Sequence, residues 1–570
     1  MGDRQVLDVA LGTPLKGVLG TTLSAIWQQM FRAVVGSTAA LGQAQQASIT
    51  AALRSLELMT HTYARLWGTN GAANRTEDAP SAPADKRFSD EAWSENLAFD
   101  TMKQAYLITT RWMMDMADGL EEIDPALHHR AAFWTKQFSD ALSPTNFALT
   151  NPVVLQEALR TGGANLVQGA QNLFSDMQQG RISHVPEGAF EVGKDLAVTP
   201  GKVIYRNKLI ELIQYAPTTA HVRAVPILMI APWVNKYYVM DLSPNNSMIK
   251  YLVDSGLTVF AISWKNPDSS MQNLEWEDYM ALGMLDALRA IKAITGVQRV
   301  NMAGYCMGGI MLEVTLAYLA AVGDATANTA TFFATHQDFS DVGDIAVFIS
   351  DPEVKFLEWL MTASGGYLDG RNMAATFNML RANDLLWHYV VNNYLLGKQP
   401  PELDLLYWNS DGTRVPQTVH LFLLRNFFLV NNLAKPDYLK MKGVGIDTKR
   451  ITTPIYAVAT LEDHIVPWKG AFRIRQMVSG PVRRILAESG HIAGIINPPA
   501  QKKRSYWVNE NDPLDLDAWL AGATKYQGSW WVDWLPWLEK QSDELVAPPP
   551  VGNAEFQPIM DAPGANVLEK

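Results

Sequence analysis

The sequence predicts an α/β protein: a helical N-terminal domain over about residues 1–190, then a sheet domain over 191–570 interrupted by an insertion near 338–430. Three observations predict it. Helix-period apolar patterning dominates as far as about Gly180. From Val203 onward, short apolar runs alternate with helix-length segments, as strands buried on both faces of a parallel sheet require. One such run leads straight into Gly304-Tyr305-Cys306-Met307-Gly308, a tight turn carrying the only cysteine of the chain.

Residues 12–67 carry few charges and place Leu23, Ile26, Trp27, Met30, Phe31 and Val34 at three-to-four spacing. This predicts a packed helix hairpin or, in a sharper reading, a lipid- or partner-binding element. Residues 70–86 have linker composition, Gly, Ala, Pro and charge without period. Helical patterns resume at Ser89, with Trp112-Met113-Met114-Met116 and Phe133-Trp134-Phe138 expected to face a core. Strands are predicted at 203–206, 209–215, 226–231, 257–264, 300–305 and 330–334, with helices at about 246–254, 277–295 and 309–322 between them. Residues 338–430 break this alternation and are rich in aromatics and amides, such as Trp387, Tyr389, Asn393 and Trp408, which reads as a cap or lid over the sheet. Alternation returns with a strand at 454–460, a helix at 470–479 and a strand at 482–487. The last helix includes Trp530-Trp531-Val532-Asp533-Trp534, read as core packing, and a loop-like tail starts at Ala547.

The formal charge of −11 argues against nucleic acid as the main partner. One cysteine excludes an intramolecular disulfide. No basic segment followed by an apolar core opens the chain, and no run approaches 18 consecutive apolar residues, so neither a signal peptide nor a transmembrane helix is expected. A cytoplasmic protein is the default. No HExxH, cysteine pair, close histidine cluster or phosphate-binding glycine loop is present, so no metal or cofactor is expected.

The 304–308 turn has the form of a nucleophile elbow with cysteine in place of serine. A lone cysteine is more often a small apolar filler. Here, however, a strand precedes it and a helix follows, and a helix N-terminus stabilises a thiolate. Such a nucleophile needs a base and an orienting acid, in the chain order nucleophile, acid, histidine on the α/β-hydrolase fold. The strand at 454–460 runs into Glu462-Asp463-His464, and the strand at 482–487 into Gly490-His491. Asp463 and His491 are 28 residues apart, one crossover, so both project from the same sheet edge as Cys306. Among His336, His388, His420, His464 and His491, only His491 sits just past the last predicted strand, between Gly490 and Gly494. The others read as packing or surface residues, and His464 also as a site-lining residue. Glu462 competes with Asp463 for the acid. The backbone N–H groups of Met307 and Val234 are candidate oxyanion donors, with Asn235 and Lys236 beside them.

The blocks GYCMGG (304–309), PWVNKYYVMDL (232–242), LRANDLLWHYVVNNYLLG (380–397), LLYWNSD (405–411), EDHIVPW (462–468) and SGHIAG (489–494) resemble class I polyhydroxyalkanoate synthases. The likeness runs from about 88 to 537, and Trp233 departs from the smaller residues common there. The resemblance implies an α/β-hydrolase core with a cap, Cys306 as nucleophile, Asp463 as acid and His491 as base. It implies (R)-3-hydroxyacyl-CoA as substrate, short side chains favoured, with polyester and CoA as products. It further implies a homodimer at the surface of cytoplasmic polyester granules, with granule-associated proteins as further partners. Lys236 and Arg381 are the candidates for the CoA phosphates. Two other readings stand beside this one: a thioesterase or depolymerase on the same fold, and a non-catalytic granule coat.

Overall fold

The computed structural model describes residue 29 and residues 38–66, 85–121 and 124–570. The apolar pattern read at 23–34, and the linker read at 70–86 save its last two residues, lie outside the described residues. The chain forms two compact units, Met1–Glu187 with Ala375–Pro401, and Gly188–Ala374 with Glu402–Lys570. The insertion expected at 338–430 is thus divided, and its middle part completes the helical unit.

In that unit the described helices are α1 (Thr38–Leu66), α2 (Leu97–Asp118), α3 (Pro125–Ala141), α4 (Pro152–Thr161) and α5 (Ala164–Gln179), besides shorter turns. Their starts follow from capping chemistry. Asn96, Asp124 and Asn151 each accept a backbone N–H of the first turn, and Pro125 and Pro152 stand where no N–H is needed. Residues 383–395 wind as wide helical turns, and Gly169 of α5 lies so close to them that a Cβ would meet the Tyr394 carbonyl oxygen at 1.9 Å. Tyr394 donates to Asp176 at 2.6 Å, and Asn172 donates to the Asn393 carbonyl at 2.9 Å. Ile182, Ala382, Leu386, Tyr389, Val390 and Tyr394 form a core here. The expected lid aromatic Tyr389 is therefore a core residue of this unit, its ring 4.5 Å from His184. The aromatic stripes are corrected in part: Phe133 and Trp134 are buried, whereas Trp112 and Phe138 are 36% and 42% exposed.

The second unit is built on an 11-stranded sheet. Its strands are β1 (Gly201–Arg206), β2 (Ile210–Tyr215), β3 (Ile227–Ile230), β4 (Val259–Trp264), β5 (Val300–Tyr305), β6 (Ala327–Phe333), β7 (Ile455–Thr460), β8 (Val482–Ala487), β9 (Ser505–Val508), β10 (Thr524–Gln527) and β11 (Met560–Asp561). The spatial order is β10-β9-β8-β7-β6-β5-β3-β4-β2-β1-β11. The block from β4 to β8 is parallel, and the strands outside it are antiparallel. Every residue of β3, β4, β5 and β7 is buried, as the continuous apolar runs require.

The helix expected at 277–295 includes a wide, π-type stretch at Tyr279–Leu285 before α7 (Asp286–Thr295), with α6 (Met248–Asp254) preceding it in the chain. The helix expected at 470–479 is two short helices, Trp468–Phe472 and Ile474–Met477. Strands β10 and β11 carry no apolar run and are exposed, so no sequence pattern announces them, whereas β9 carries Tyr506-Trp507-Val508, a short run not among the strands expected from sequence. Among the described residues no helix is long and apolar enough to cross a membrane.

Candidate active site

Strand β5 ends at Tyr305 and helix α8 (Met307–Val322) begins two residues later. Cys306 alone makes the turn, at φ 51° and ψ −118°, a strained conformation for a residue with a Cβ. The turn is tight on every side. A Cβ on Gly304 would meet the Cα of Gly309 at 2.6 Å, and one on Gly308 would meet the Ile230 carbonyl oxygen at 2.3 Å. Glycine at 308 therefore lets the start of α8 rest on the end of β3, directly beneath the loop that follows it. The Cys306 N–H donates to the Phe333 carbonyl at 2.9 Å, fixing the turn to β6 as well. The thiol itself is half-buried.

Asp463 and His491 leave the ends of β7, which pairs with β6, and of β8, which pairs with β7. His491 Nδ1 lies 2.8 Å from Asp463 Oδ2. The carboxylate is fully enclosed and satisfied: Oδ2 also accepts from Thr460 Oγ1 at 2.9 Å, and Oδ1 accepts the Ile465 and Val466 N–H groups at 2.9 Å each. Burial would raise its pKa, but the His491 charge, the His491 hydrogen bond and these two amides hold it below the ordinary carboxylate value. Glu462 is exposed and makes no such contact with His491. With Nδ1 engaged by Asp463, Cys306 is the other group that favours the His491 charge. Burial disfavours the imidazolium, yet Asp463 and Cys306 outweigh it and push His491 up to about 10.

The sequence surroundings lock this arrangement. The Tyr305 ring stacks on His491 at 5.5 Å, and its hydroxyl donates to the His491 carbonyl at 3.0 Å. Of the tryptophans in helix α9 (Trp531–Lys540) and its cap, Trp530, Trp531 and Trp534 are buried as expected and Trp537 is half-buried. They also hold the histidine loop: Trp530 Nε1 donates to the Gly494 carbonyl at 3.0 Å and Trp531 Nε1 to that of Ile495 at 2.9 Å. His336, which reads from sequence as packing, touches the loop that holds Asp463. It is buried and bonded at 3.1 Å to the carbonyl of Ile465, whose own N–H grips Asp463. His420 is buried, and burial lowers it to about 4. His388 is exposed and belongs to the helical unit. His464 is half-buried next to Asp463.

The N–H of Met307 opens α8 and so has no acceptor within the helix. Val234 lies in the loop after β3, with its carbonyl accepting from the Thr413 N–H at 3.3 Å and Asn235 bridged to Gly412. Trp233 is buried against Trp276, Tyr279 and Trp264, with ring centres 5.2, 5.6 and 6.2 Å away. Trp233 is thus an anchor for the loop. The expectation for Lys236 is corrected. It is 3% exposed, and its ammonium donates to the carbonyls of Asn566 and Glu569, so it is not presented to a phosphate. Burial lowers its pKa. Arg381 lies in the helical unit, where it pairs with Asp384 at 3.0 Å.

Comparison with known proteins adds the following. A family described as "Poly-beta-hydroxybutyrate polymerase (PhaC) N-terminus" matches residues 84–252, and the alpha/beta hydrolase fold family matches residues 235–498. The chain is 43% identical over 530 residues to the poly(3-hydroxyalkanoate) polymerase of Methylorubrum extorquens, covering 91% of this chain and 87% of that one. It is 40% identical over 513 residues to the poly(3-hydroxyalkanoate) polymerase subunit PhaC of Cupriavidus necator, covering 89% and 87%. A solved monoacylglycerol lipase from Paleococcus ferrophilus is 13% identical with a TM-score of 0.31, over 49% of this chain and 88% of that chain.

Proposed function

Because the chain belongs to the poly(3-hydroxyalkanoate) polymerase family, an enzyme family built on the α/β-hydrolase fold, we propose that it polymerises (R)-3-hydroxyacyl-CoA through acyl thioesters on Cys306. The observation that carries this reading is the enclosed Asp463–His491 pair meeting the chain's sole thiol at the strained elbow.

His491 takes the thiol proton, and the Cys306 thiolate attacks the thioester carbonyl. The resulting oxyanion is held by the N–H groups of Met307 and Val234. The C–S bond to CoA breaks, the leaving sulfur recovers the proton from His491, and the acyl group rests on Cys306. Exchange of one thioester for another is close to energetic balance, so the acyl group stays activated; a serine ester would lose that drive. A 3-hydroxyl then attacks this acyl group, an ester bond forms, and the Cys306 sulfur is released.

The electrostatics support both half-reactions. After Asp463, Cys306 is one of the influences that raise His491 to about 10. Acylation removes the Cys306 influence, so the imidazole holds its proton less tightly, gives it to the leaving sulfur and is then able to accept the hydroxyl proton. Asp463 stays ionised throughout because its burial is offset by the His491 charge and by hydrogen bonds. Short acyl side chains are the expected substrates.

The test is thiol release from (R)-3-hydroxybutyryl-CoA, with the acyl product identified, for the protein and for Cys306→Ala. Insoluble polyester, with release reduced by about 10⁴-fold or more in the variant, is the expected result. Free 3-hydroxy acid in place of polymer would make the protein a thioesterase, and undiminished release by Cys306→Ala would remove Cys306 from the mechanism.

A further inference from the structure

The last residues of the chain return to the sheet and end beside the loop after β3. Strand β11 pairs with β1, with the Ile559 and Ala562 N–H groups donating to Val203 and Gly201 at 2.8 and 2.9 Å. Beyond it, Gly564 turns at φ +85°, so close to Glu211 that a Cβ would meet Oε2 at 2.4 Å. Glu211 is wholly buried on β2 and receives the N–H groups of Ala565 and Asn566 on Oε2, each at 2.9 Å. Asn566 then donates to the Ser263 carbonyl of β4 at 3.1 Å. The segment is thus seated by buried, directional bonds rather than by apolar contact alone.

From this seat, the carbonyls of Asn566 and Glu569 receive the ammonium of Lys236. The main chain of Lys236 is held from the other side, its carbonyl accepting from Trp408 Nε1 at 2.6 Å. The Lys570 carbonyl accepts from Arg414 at 3.1 Å, and Arg414 follows Thr413, which binds the Trp233 and Val234 carbonyls at 2.8 and 3.3 Å. The loop 233–236 is therefore clamped between 408–414 and 566–570.

We infer that Lys236 is a positioning residue, and that the 564–570 segment acts through it as a strap setting the Val234 N–H toward Cys306. The inference rests on the proposed role of Val234 as an oxyanion donor. A buried ammonium pays for its desolvation only if its donors are met, and here main-chain carbonyls meet them. Asp411 and Glu569 also favour its charge. Such a bond fixes direction as well as distance. A small displacement of an oxyanion donor slows the chemical step while leaving thioester binding largely intact.

The experiment compares the full-length protein with Lys236→Met, which keeps the stem and removes the donors, and with Gly564→Ala, which unseats the strap without touching the loop. Amide hydrogen exchange across 232–236 needs no substrate. It should rise by about tenfold or more in both variants, and no further in the double variant. In turnover, kcat should fall by about tenfold or more with KM within about twofold, again without addition in the double variant. Exchange at 232–236 unchanged in Gly564→Ala, or additive losses in the double variant, would overturn the strap. If Lys236→Met fails to fold, Gly564→Ala and Asn566→Ala carry the same comparison. Absence of turnover in the unaltered protein would count against the proposed function and leave the exchange result to decide the strap.

Discussion

His491 is the residue on which the site's charge balance turns. Folded, it titrates near 10 against an ordinary 6.5, because Asp463 and Cys306 overcome the effect of burial. Its contribution to stability is therefore complete below about pH 6.5 and is lost as pH rises through about 10. Asp463 has the opposite sign: its lowered value stabilises the fold above the ordinary 3.8, and this is lost as pH falls through the folded value. Asp463→Asn removes the chief attraction on the imidazolium. The decline in urea midpoint between about pH 6.5 and pH 10 should flatten in that variant, and thiol release at pH 7.5 should fall by about 10³- to 10⁴-fold. A midpoint that declines as steeply as in the unaltered protein would contradict the assignment. The places of the acid and of His491 were legible in the sequence because each stands a few residues past a strand end, where an apolar run stops, whereas strand ends alone left Glu462 beside Asp463 and the resemblance favoured Asp463. The environment of Lys236 was not. Its partner Asn566 is 330 residues away in sequence, and an ammonium bound to main-chain carbonyls leaves no side-chain pattern to read.

Among the elements, the contact of α8 with β3 sets how closely the elbow and the loop after β3 approach. Gly308 makes that contact possible, and the obstacle to a larger residue is backbone, the carbonyls of Ile230 and Ala231 at 2.3 and 2.7 Å. Gly308→Ala must therefore lift the helix start rather than rotate a neighbour. The expected loss is about 1–3 kcal/mol in denaturant unfolding together with thiol release reduced at least about a hundredfold. Stability and turnover both unchanged would mean that the approach is looser than described. The parallel strands were readable because burial on both faces demands uninterrupted apolar residues. The antiparallel edge was not: β10 reads Thr-Lys-Tyr-Gln, all exposed, and is held to β9 by backbone pairing, by the Tyr526 ring stacked on Tyr506 and by the Lys525 ammonium over the Trp507 ring. Likewise the wide turns at 383–395 follow from close packing against α5, which no periodicity of 3.6 residues conveys.

In the whole molecule, two compact units share one chain, and the helical unit contains residues from both sides of the first half of the sheet domain. Gly169→Val tests that membership. A Cβ there meets the Tyr394 carbonyl oxygen at 1.9 Å and its carbon at 2.5 Å. Hydrogen exchange should accelerate in 164–179 and 383–395 together while β5 and β6 keep their protection, with a loss of about 3 kcal/mol confined to the helical unit. Acceleration of α5 alone would separate 375–401 from that unit.

The division of the helical unit also imposes an order in time. Its N-terminal helices leave the ribosome long before 375–401 are made, and Tyr394, the partner of Asp176 and the close neighbour of Gly169, belongs to that later segment. At about 5–20 residues per second, some ~10 to 40 s of synthesis separates residue 187 from residue 401. Through that interval Ile182 lacks Leu386, Tyr389 and Val390, the side chains it will pack with. The unit translated first is thus finished only after the Cys306 turn has emerged, and a nascent chain arrested before 375 should present its α5 face to chaperones that one arrested well past 401 no longer engages.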